Sequence, residues 1–169
     1  MPIRWPLRQD EEVRTLARAR TLTVLPSLDG FRKRSVVEFL YESGLITKEH
    51  SVLDLQGADL SGANLDGSDL RWANLDGAVL SGTKLSEAYL SGADLSETNL
   101  IRANLRGANL SEADLRGVAL REASLAQAIV TVEQLEQARS LEGATLPNGQ
   151  KYEDWLKDRG RRKEDTDPS

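Results

Sequence analysis

The chain has 169 residues, which is enough for one ordinary domain and too few for two large ones. It contains no Cys and one His, His50, which excludes disulfide frameworks, thiolate metal sites and most Ser-His catalysis. The net charge of −5 argues against direct nucleic-acid binding, and no apolar run is long enough to insert into a membrane. We therefore expect a cytoplasmic protein with no cofactor and no metal.

Residues 1–52 are predicted to form a helical module. A first helix is expected from Glu11 to Arg20, with a narrow apolar side. A second is expected from about Leu28 to Ser43, with its apolar positions at Phe31, Val36, Val37, Phe39 and Leu40.

A five-residue repeat dominates residues 53–130. Leu occupies every fifth position from Leu55 to Leu125, fifteen leucines without a gap. The position two before each Leu is Ala ten times, with Leu53 and Val118 as the only larger residues there. The position just before Leu is Asp or Asn ten times, and Gly is frequent two residues after Leu.

A period of five fits neither an α-helix nor a plain strand. It fits a chain that runs briefly extended, turns and repeats, so that Leu and the small residue two before it point into one interior. The Asp or Asn between them points outward, where it can bond amides of the turn. Fully buried leucines would each contribute about 1.5–3 kcal/mol to such a core.

The pentads Ala58-Asp59-Leu60-Ser61-Gly62 and Ala63-Asn64-Leu65-Asp66-Gly67 resemble the A-[D/N]-L-x-x signature of the pentapeptide-repeat family. The resemblance implies an all-β solenoid, a right-handed quadrilateral β-helix with four pentads per coil. Fifteen pentads would make just under four coils. Because a solenoid leaves strand edges at both ends, we expect α-helical caps from residues 1–52 and from residues 131–156.

The C-terminal part is predicted to close the stack. Thr131 and Gln134 have the spacing of a helix-starting capping box. Residues 140–146 resemble one last pair of pentads that returns to the stack, followed by the Pro147-Asn148-Gly149 turn. Residues 157–169 are highly charged and are expected to be a disordered tail.

Most outward positions of the repeat are polar, but four hold an aromatic or aliphatic residue. These four are the candidate partner-binding residues. Trp72 and Tyr89 fall on one face of the coil, and Val79 and Ile101 fall on another. Exposed aromatic side chains are favoured anchors for protein partners. The alternative is that the caps cover these residues, or that they are isolated exposed side chains without a role.

Two charged groups have simpler interpretations. Asp54, Asn74, Asp94 and Asp114 would stack into one column, which resembles a cation ladder or a strip of DNA phosphates but is better explained by turn bonding. Residues 53–130 carry six Lys or Arg against eleven Asp or Glu, and four of the cations gather late, at Arg102, Arg106, Arg116 and Arg121. Local ion pairs on a solvated surface explain them.

The sequence favours a non-enzymatic scaffold that binds an unidentified protein, as a monomer rather than a dimer, and no catalytic residues are assigned. A second hypothesis comes from the quinolone-resistance branch of the family, whose acidic rods mimic duplex DNA and bind DNA gyrase. A third rests on residues 17–25 and 39–46, which resemble a module that precedes the repeats in some bacterial members. Some of those are membrane-associated, so the chain would be a regulatory module of such a protein.

Overall fold

Pairing between residues twenty positions apart organises the repeat region. The structure, a computed structural model, describes residues 11–43 and 54–164. In it Asp59 bridges Val79 and Val79 bridges Asn99, both in parallel, and this spacing recurs as far as Ile129. Four pentads therefore complete one coil, as predicted. In each pentad the extended part is one bridging residue, the position before Leu, rather than a long strand.

The leucines form the interior of the coil. Every repeat Leu from Leu55 to Leu125 is at most 1% exposed, and the small residues two before them are buried as well. The four faces are numbered by their leucines: face 1 has Leu55, Leu75, Leu95 and Leu115; face 2 has Leu60, Leu80, Leu100 and Leu120; face 3 has Leu65, Leu85, Leu105 and Leu125; face 4 has Leu70, Leu90 and Leu110. This burial confirms the predicted inward and outward positions.

Each corner between faces is a tight turn. The carbonyl of Leu55 accepts a hydrogen bond from the amide of Ala58 at 2.9 Å, and the same bond recurs along the coil. The residue two after Leu has a positive φ, which Gly77 adopts at 62° without steric conflict. Within residues 11–43 and 54–164, seven residues other than Gly share this left-handed conformation, Trp72 at 62° and Glu112 at 60° among them. A side chain at such a position adds about 1–2 kcal/mol of strain.

Two helices precede the coil. Helix α1 spans Glu11–Val24, a 3₁₀ turn spans Leu25–Ser27, and helix α2 spans Gly30–Glu42. The first helix is thus four residues longer than predicted, and the second begins after its N-cap, Asp29, whose carboxylate accepts from the amide of Arg32. Leu25, Val37 and Leu40 are buried in the same core as the coil leucines.

These helices bond backbone groups on the first coil. The Gly30 carbonyl accepts from the amide of Asn64 at 3.1 Å. The guanidinium of Arg18 donates to the Gln56 carbonyl at 2.8 Å, and the ammonium of Lys33 donates to the Ser61 carbonyl at 3.0 Å. In later coils the equivalent carbonyls accept from the preceding coil instead. The N-terminal helices therefore occupy hydrogen-bonding positions that another coil would fill.

Helix α2 differs from the sequence expectation in which residues it buries. Phe31 and Phe39, predicted as apolar positions of the helix, are 74% and 63% exposed. Lys33 is buried, with its ammonium 3.4 Å from Asp59 Oδ1. The reason is that Lys33 has acceptors on the first coil, a long-range requirement that helical periodicity does not reveal.

The coil ends with a short helix in place of a pentad. Helix α3 spans Val132–Glu136 and begins with the predicted capping box of Thr131 and Gln134. The side-chain amide of Gln134 also donates to the carbonyls of Leu110 and Ala113, at 2.9 and 2.8 Å. One glutamine side chain thus closes its own helix and bonds the preceding coil.

After α3 the chain returns to the stack. Ser140 bridges Ala119 and Thr145 bridges Ser124, both in parallel, which confirms the predicted pair of returning pentads. Thr145 then pairs with Lys151 in antiparallel fashion. Because this reverses the chain direction, the edge of face 3 is bonded by a hairpin rather than extended by a further coil.

Helix α4, Tyr152–Glu164, corrects the prediction of a disordered tail for residues 157–169. Residues 157–164 continue the helix, and residues 165–169 lie outside the described part of the chain. Specific contacts hold its first two turns: the Glu153 carboxylate accepts from the Gly143 amide, Lys157 pairs with Asp154, and the Arg159 guanidinium lies over the Trp155 ring. The high charge suggested disorder, but these partners are supplied by the fold.

Candidate partner-binding surface

The structure places the four predicted residues in two separate groups. Tyr89 lies on face 4, bridged to Asp69 and Asn109, and is 51% exposed. Trp72 lies at the corner that follows face 4 and is 41% exposed. Val79 and Ile101 lie on face 2 and at its corner, and both are half-buried. The grouping matches the prediction, and the aromatic pair presents the more accessible apolar surface.

Trp72 lies against Gly92, one full coil further along the chain. A Cβ atom added to Gly92 would lie 1.9 Å from Cζ3 of the Trp72 ring, so the ring occupies the space that a side chain would need. Glu97 over Gly117 repeats the arrangement at another corner, with 2.3 Å between the carboxylate and an added Cβ. In both pairs, the glycine one coil further along the chain lets the large side chain lie flat on the coil.

Beside Tyr89, Arg71 connects face 4 to helix α2. Its guanidinium donates to both carboxylate oxygens of Asp69 and, at 3.3 Å, to the hydroxyl of Tyr41. Burial raises the pKa of the Asp69 carboxyl, but hydrogen bonds from Arg71 and Tyr41 outweigh it and hold that pKa below 3.8. Burial, followed by the hydrogen bond to Asp69, raises the pKa of the Tyr41 phenol above 10.0.

We call the set Tyr41, Arg71, Trp72 and Tyr89 the face-4 surface. Its composition of Trp, Tyr and Arg is the one enriched at binding hot spots. Sequence reasoning identified its two aromatics on the coil and missed Arg71 and Tyr41. For Arg71 a signal exists, because an Arg two residues after an outward Asp recurs as Asp114 and Arg116, which also form an ion pair. For Tyr41 the signal is absent, since its position depends on how α2 meets the coil.

A groove of about 530 Å³ opens next to Trp72, towards face 1. The Trp72 ring and the backbone of Gly92 form one side. Ala73, Asn74 and Ala93 also line it, together with three carboxylates: Asp94, Glu112 and Asp114. The groove combines an aromatic surface with negative charge.

The predicted column on face 1 is engaged in turn bonds. Asp94 accepts from the amide and the hydroxyl of Ser96, and Asn74 accepts from the amide of Asp76. Asp114 accepts from the amide of Arg116, whose guanidinium pairs with it and is the main cause of the lowered pKa of the Asp114 carboxyl. Asp54 accepts from Arg18 and from the amide of Gln56. These bonds confirm the turn-bonding interpretation.

The late arginines also have local partners. Arg102 pairs with Glu122, one coil further on, with 2.8 Å between Nε and Oε2. Arg106 donates to Gln127, and Arg121 lies 3.8 Å from Glu122. Each pair is well exposed to solvent, so each contributes little to stability.

A second cavity of about 380 Å³ lies where α3, the returning pentads and α4 meet. Its lining is largely apolar and includes Leu135, Leu141, Tyr152 and Trp155. The rings of Tyr152 and Trp155 stack, with their centroids 5.9 Å apart. The cavity lies between α4 and the leucines of α3 and the returning pentads, apart from the predicted site residues.

Neither a metal centre nor a membrane span is found in the described part of the chain. Across residues 11–43 and 54–164, no three acidic or histidine side chains cluster in a way that would hold a metal ion. Over the same residues, every helix falls short of the length and hydropathy that a bilayer crossing requires.

Stacked five-residue turns around a leucine interior define a four-sided β-solenoid, a class of repeat protein whose outward faces are free to vary. The family model for pentapeptide repeats matches residues 54–92 and 88–127 in eight copies. Residues 54–127 of this chain therefore consist of pentapeptide repeats. The right-handed quadrilateral β-helix predicted from the sequence is the fold that this relationship implies.

Solved structures of pentapeptide-repeat proteins are similar over part of their length. A protein of the Arabidopsis thaliana thylakoid lumen is 34% identical, with a TM-score of 0.45, over 55% of this chain and 61% of that one. Rfr23 of the cyanobacterium Cyanothece 51142 is 43% identical, with a TM-score of 0.45, over 54% of this chain and 58% of that one. The plasmid-mediated fluoroquinolone resistance protein QnrB1 is 22% identical, with a TM-score of 0.45, over 64% and 56%. The chain thus spans about three-fifths of these structures, and no curated protein sequence matches it.

Proposed function

We propose that this protein is a non-enzymatic scaffold that binds a protein partner through the face-4 surface. The observation that carries the proposal is the exposure of Trp72 and Tyr89 at positions where the repeat requires no aromatic residue. The leucine interior and the turn bonds of the outward Asp and Asn side chains already account for the fold. Large aromatic side chains exposed on such a rod can contribute contact area to a partner.

Arg71 and Tyr41 strengthen the proposal. They enlarge the aromatic pair into a surface with a fixed guanidinium, since Arg71 is held by both Asp69 and Tyr41. A side chain that is already ordered loses less conformational entropy when a partner binds. Val79 and Ile101 on face 2 are half-buried and offer less contact area.

The rest of the chain is proposed to support this role. The N-terminal helices and the segment after residue 130 act as caps, because both bond backbone groups that a further coil would otherwise pair. Capped ends oppose end-to-end stacking and favour a monomer. A cytoplasmic location is part of the proposal. None of the groups on the coil is assigned a catalytic role.

Affinity capture from the source cell tests the proposal. Wild-type protein is expected to retain a partner that Trp72→Ala and Tyr89→Ala lose. Ser81→Ala, an outward change at the corner after face 2, serves as the control and should retain it. All three variants must unfold at the same denaturant concentration as the wild type. A partner retained equally by all of them would place binding elsewhere.

The second candidate function is mimicry of DNA towards a DNA gyrase. Its support is the acidic balance of residues 53–130, six cations against eleven acids. The turn bonds of Asp94 and the pairing of Asp114 with Arg116 weaken it, because both carboxylates are already engaged by groups of the chain itself. Inhibition of gyrase supercoiling that is lost in Asp94→Asn and Asp114→Asn would favour mimicry over the scaffold. No inhibition by the wild type would dismiss it.

A further inference from the structure

The groove beside Trp72 has a composition that identifies the charge of its ligand. It is lined by Trp72 and by Asp94, Glu112 and Asp114, and it encloses about 530 Å³. Arg116 compensates Asp114, but Glu112 makes no hydrogen bond or ion pair with the residues that the structure describes. The charge of Arg116 also acts on Asp94, but three carboxylates against one guanidinium leave the groove negative beside the indole.

An indole face attracts cations, and Trp attracts them most strongly among the aromatic side chains. Nearby carboxylates add to that attraction, and both effects act on a cation bound between them. The Trp72 ring lies over Gly92, two residues before Asp94, so the indole and this carboxylate are neighbours in the groove. The groove is thus arranged to receive a positively charged group from solvent.

We propose that the groove binds a Lys or Arg side chain from a basic segment of the protein partner. This inference rests on the proposed scaffold function and adds the chemistry of the partner to it. The argument for this occupant is charge complementarity. An apolar or acidic segment would leave Asp94 and Glu112 desolvated without a counter-charge. The volume admits one extended side chain together with its flanking backbone.

A direct binding assay tests this chemistry without the natural partner. The probe is a fluorescein-labelled octapeptide of alternating Lys and Gly, and the reference probe replaces Lys with Glu. Fluorescence anisotropy should show binding of the Lys peptide alone, weakening as salt is raised. In Trp72→Leu, binding should weaken about two- to five-fold, the size of an exposed cation–π contact. The indole N–H resonance missing from Trp72→Leu identifies Trp72, and it should shift when the Lys peptide is added.

Glu112 provides a test that leaves Trp72 intact. Glu112→Gln should weaken binding of the Lys peptide about two- to five-fold at low salt. Glu87→Gln is the matched control, because Glu87 is an exposed Glu at the same pentad position with φ 58°, against 60° for Glu112, and lies at the corner after face 3. Its affinity should equal that of the wild type.

Three results would overturn the inference: no binding of the Lys peptide, equal weakening by Glu112→Gln and Glu87→Gln, or an unchanged affinity in Trp72→Leu. Either of the last two results would mean that the net charge of the protein alone attracts the peptide. These results leave the scaffold proposal standing if a cellular partner still depends on Trp72 and Tyr89. Loss of that dependence while the Lys peptide still binds would contradict the scaffold proposal alone.

Discussion

The indole ring of Trp72 lies on the backbone of Gly92, the residue one coil further along the chain. Gly92 has a φ of 66°, so any side chain introduced there meets backbone strain as well as the ring. Gly77 has a similar φ of 62°, but a Cβ added to it would meet no atom within 4 Å. Comparing substitutions at the two glycines therefore separates the cost of backbone strain from the cost of displacing the Trp72 ring.

Gly77→Ala should lower the free energy of unfolding by about 1–2 kcal/mol, the cost of a left-handed alanine. Gly92→Ala should cost more, because the Trp72 ring must also move off the coil. Chemical denaturation measures both values. The fluorescence of Trp72 is obtained by subtracting the spectrum of a Trp72→Phe variant, and it should report a more exposed indole only in Gly92→Ala. Equal losses and equal spectra would mean that the ring does not lie on Gly92.

Removing one buried hydroxyl group is expected to raise the free energy of unfolding rather than lower it. Among the described residues, the Ser68 hydroxyl oxygen is the buried side-chain polar atom without a protein hydrogen-bond partner. Ala fills the same position in ten pentads, so Ser68→Ala should raise the free energy of unfolding by about 1 kcal/mol or more.

Thr83 is the comparison for Ser68, because its hydroxyl donates to the Leu60 carbonyl at 3.0 Å. Thr83→Val should lower the free energy of unfolding by about 0.5–1.5 kcal/mol, the net contribution of one hydrogen bond. Both variants are measured by urea denaturation. A destabilised Ser68→Ala would show that this hydroxyl has a partner in solution.

Gln134 is expected to stabilise the end of the coil through its amide donors. Gln134→Glu keeps the oxygen that completes the capping box, but it replaces the two bonds to Leu110 and Ala113 with repulsion between a carboxylate and two carbonyls. We expect a loss of about 1–3 kcal/mol in the free energy of unfolding. Gln137→Glu makes the same chemical change at an exposed position and should cost less than about 1 kcal/mol. Similar losses in the two variants would remove the special role of Gln134.

Acid should weaken the contact between α2 and the first coil. Hydrogen bonds from the hydroxyl and amide of Ser61, followed by the charge of Lys33, hold the pKa of the Asp59 carboxyl below 3.8. A lowered folded-state pKa stabilises the protein fully above 3.8, and that stability is lost as the pH falls through the folded pKa. Asn occupies the same position in neighbouring pentads, so Asp59→Asn preserves the turn while removing the charge.

Denaturation at pH 6 and at pH 3 measures this effect. The wild type should lose more free energy of unfolding between the two pH values than Asp59→Asn does. At pH 6 the variant should be less stable, because the buried Lys33 loses its counter-charge. The same pH dependence in both proteins would show that Asp59 is not the group that titrates.

The sequence predicts the coil well because its information is local and repeated. Fifteen leucines at a fixed spacing define the interior, and the Asp or Asn before ten of them indicates the turn bonds, so the positions of Trp72 and Tyr89 outside the coil follow directly. The remaining features depend on contacts between distant segments. Lys33 is buried and Phe31 exposed because of the acceptors on the first coil, and residues 157–164 are helical although their composition favours disorder. Tyr41 joins the candidate surface through the same long-range packing of α2.

Photo-crosslinking tests most directly whether the partner sits on the face-4 surface. A photo-reactive amino acid at Ser91 would lie beside Tyr89, whereas the same group at Ser81 would lie at the corner after face 2. The two serines share a pentad position and a similar exposure, so the probes differ only in the face that they report. The account predicts that the captured partner crosslinks from Ser91 and not from Ser81. Crosslinking from Ser81 alone, or equally from both, would contradict it.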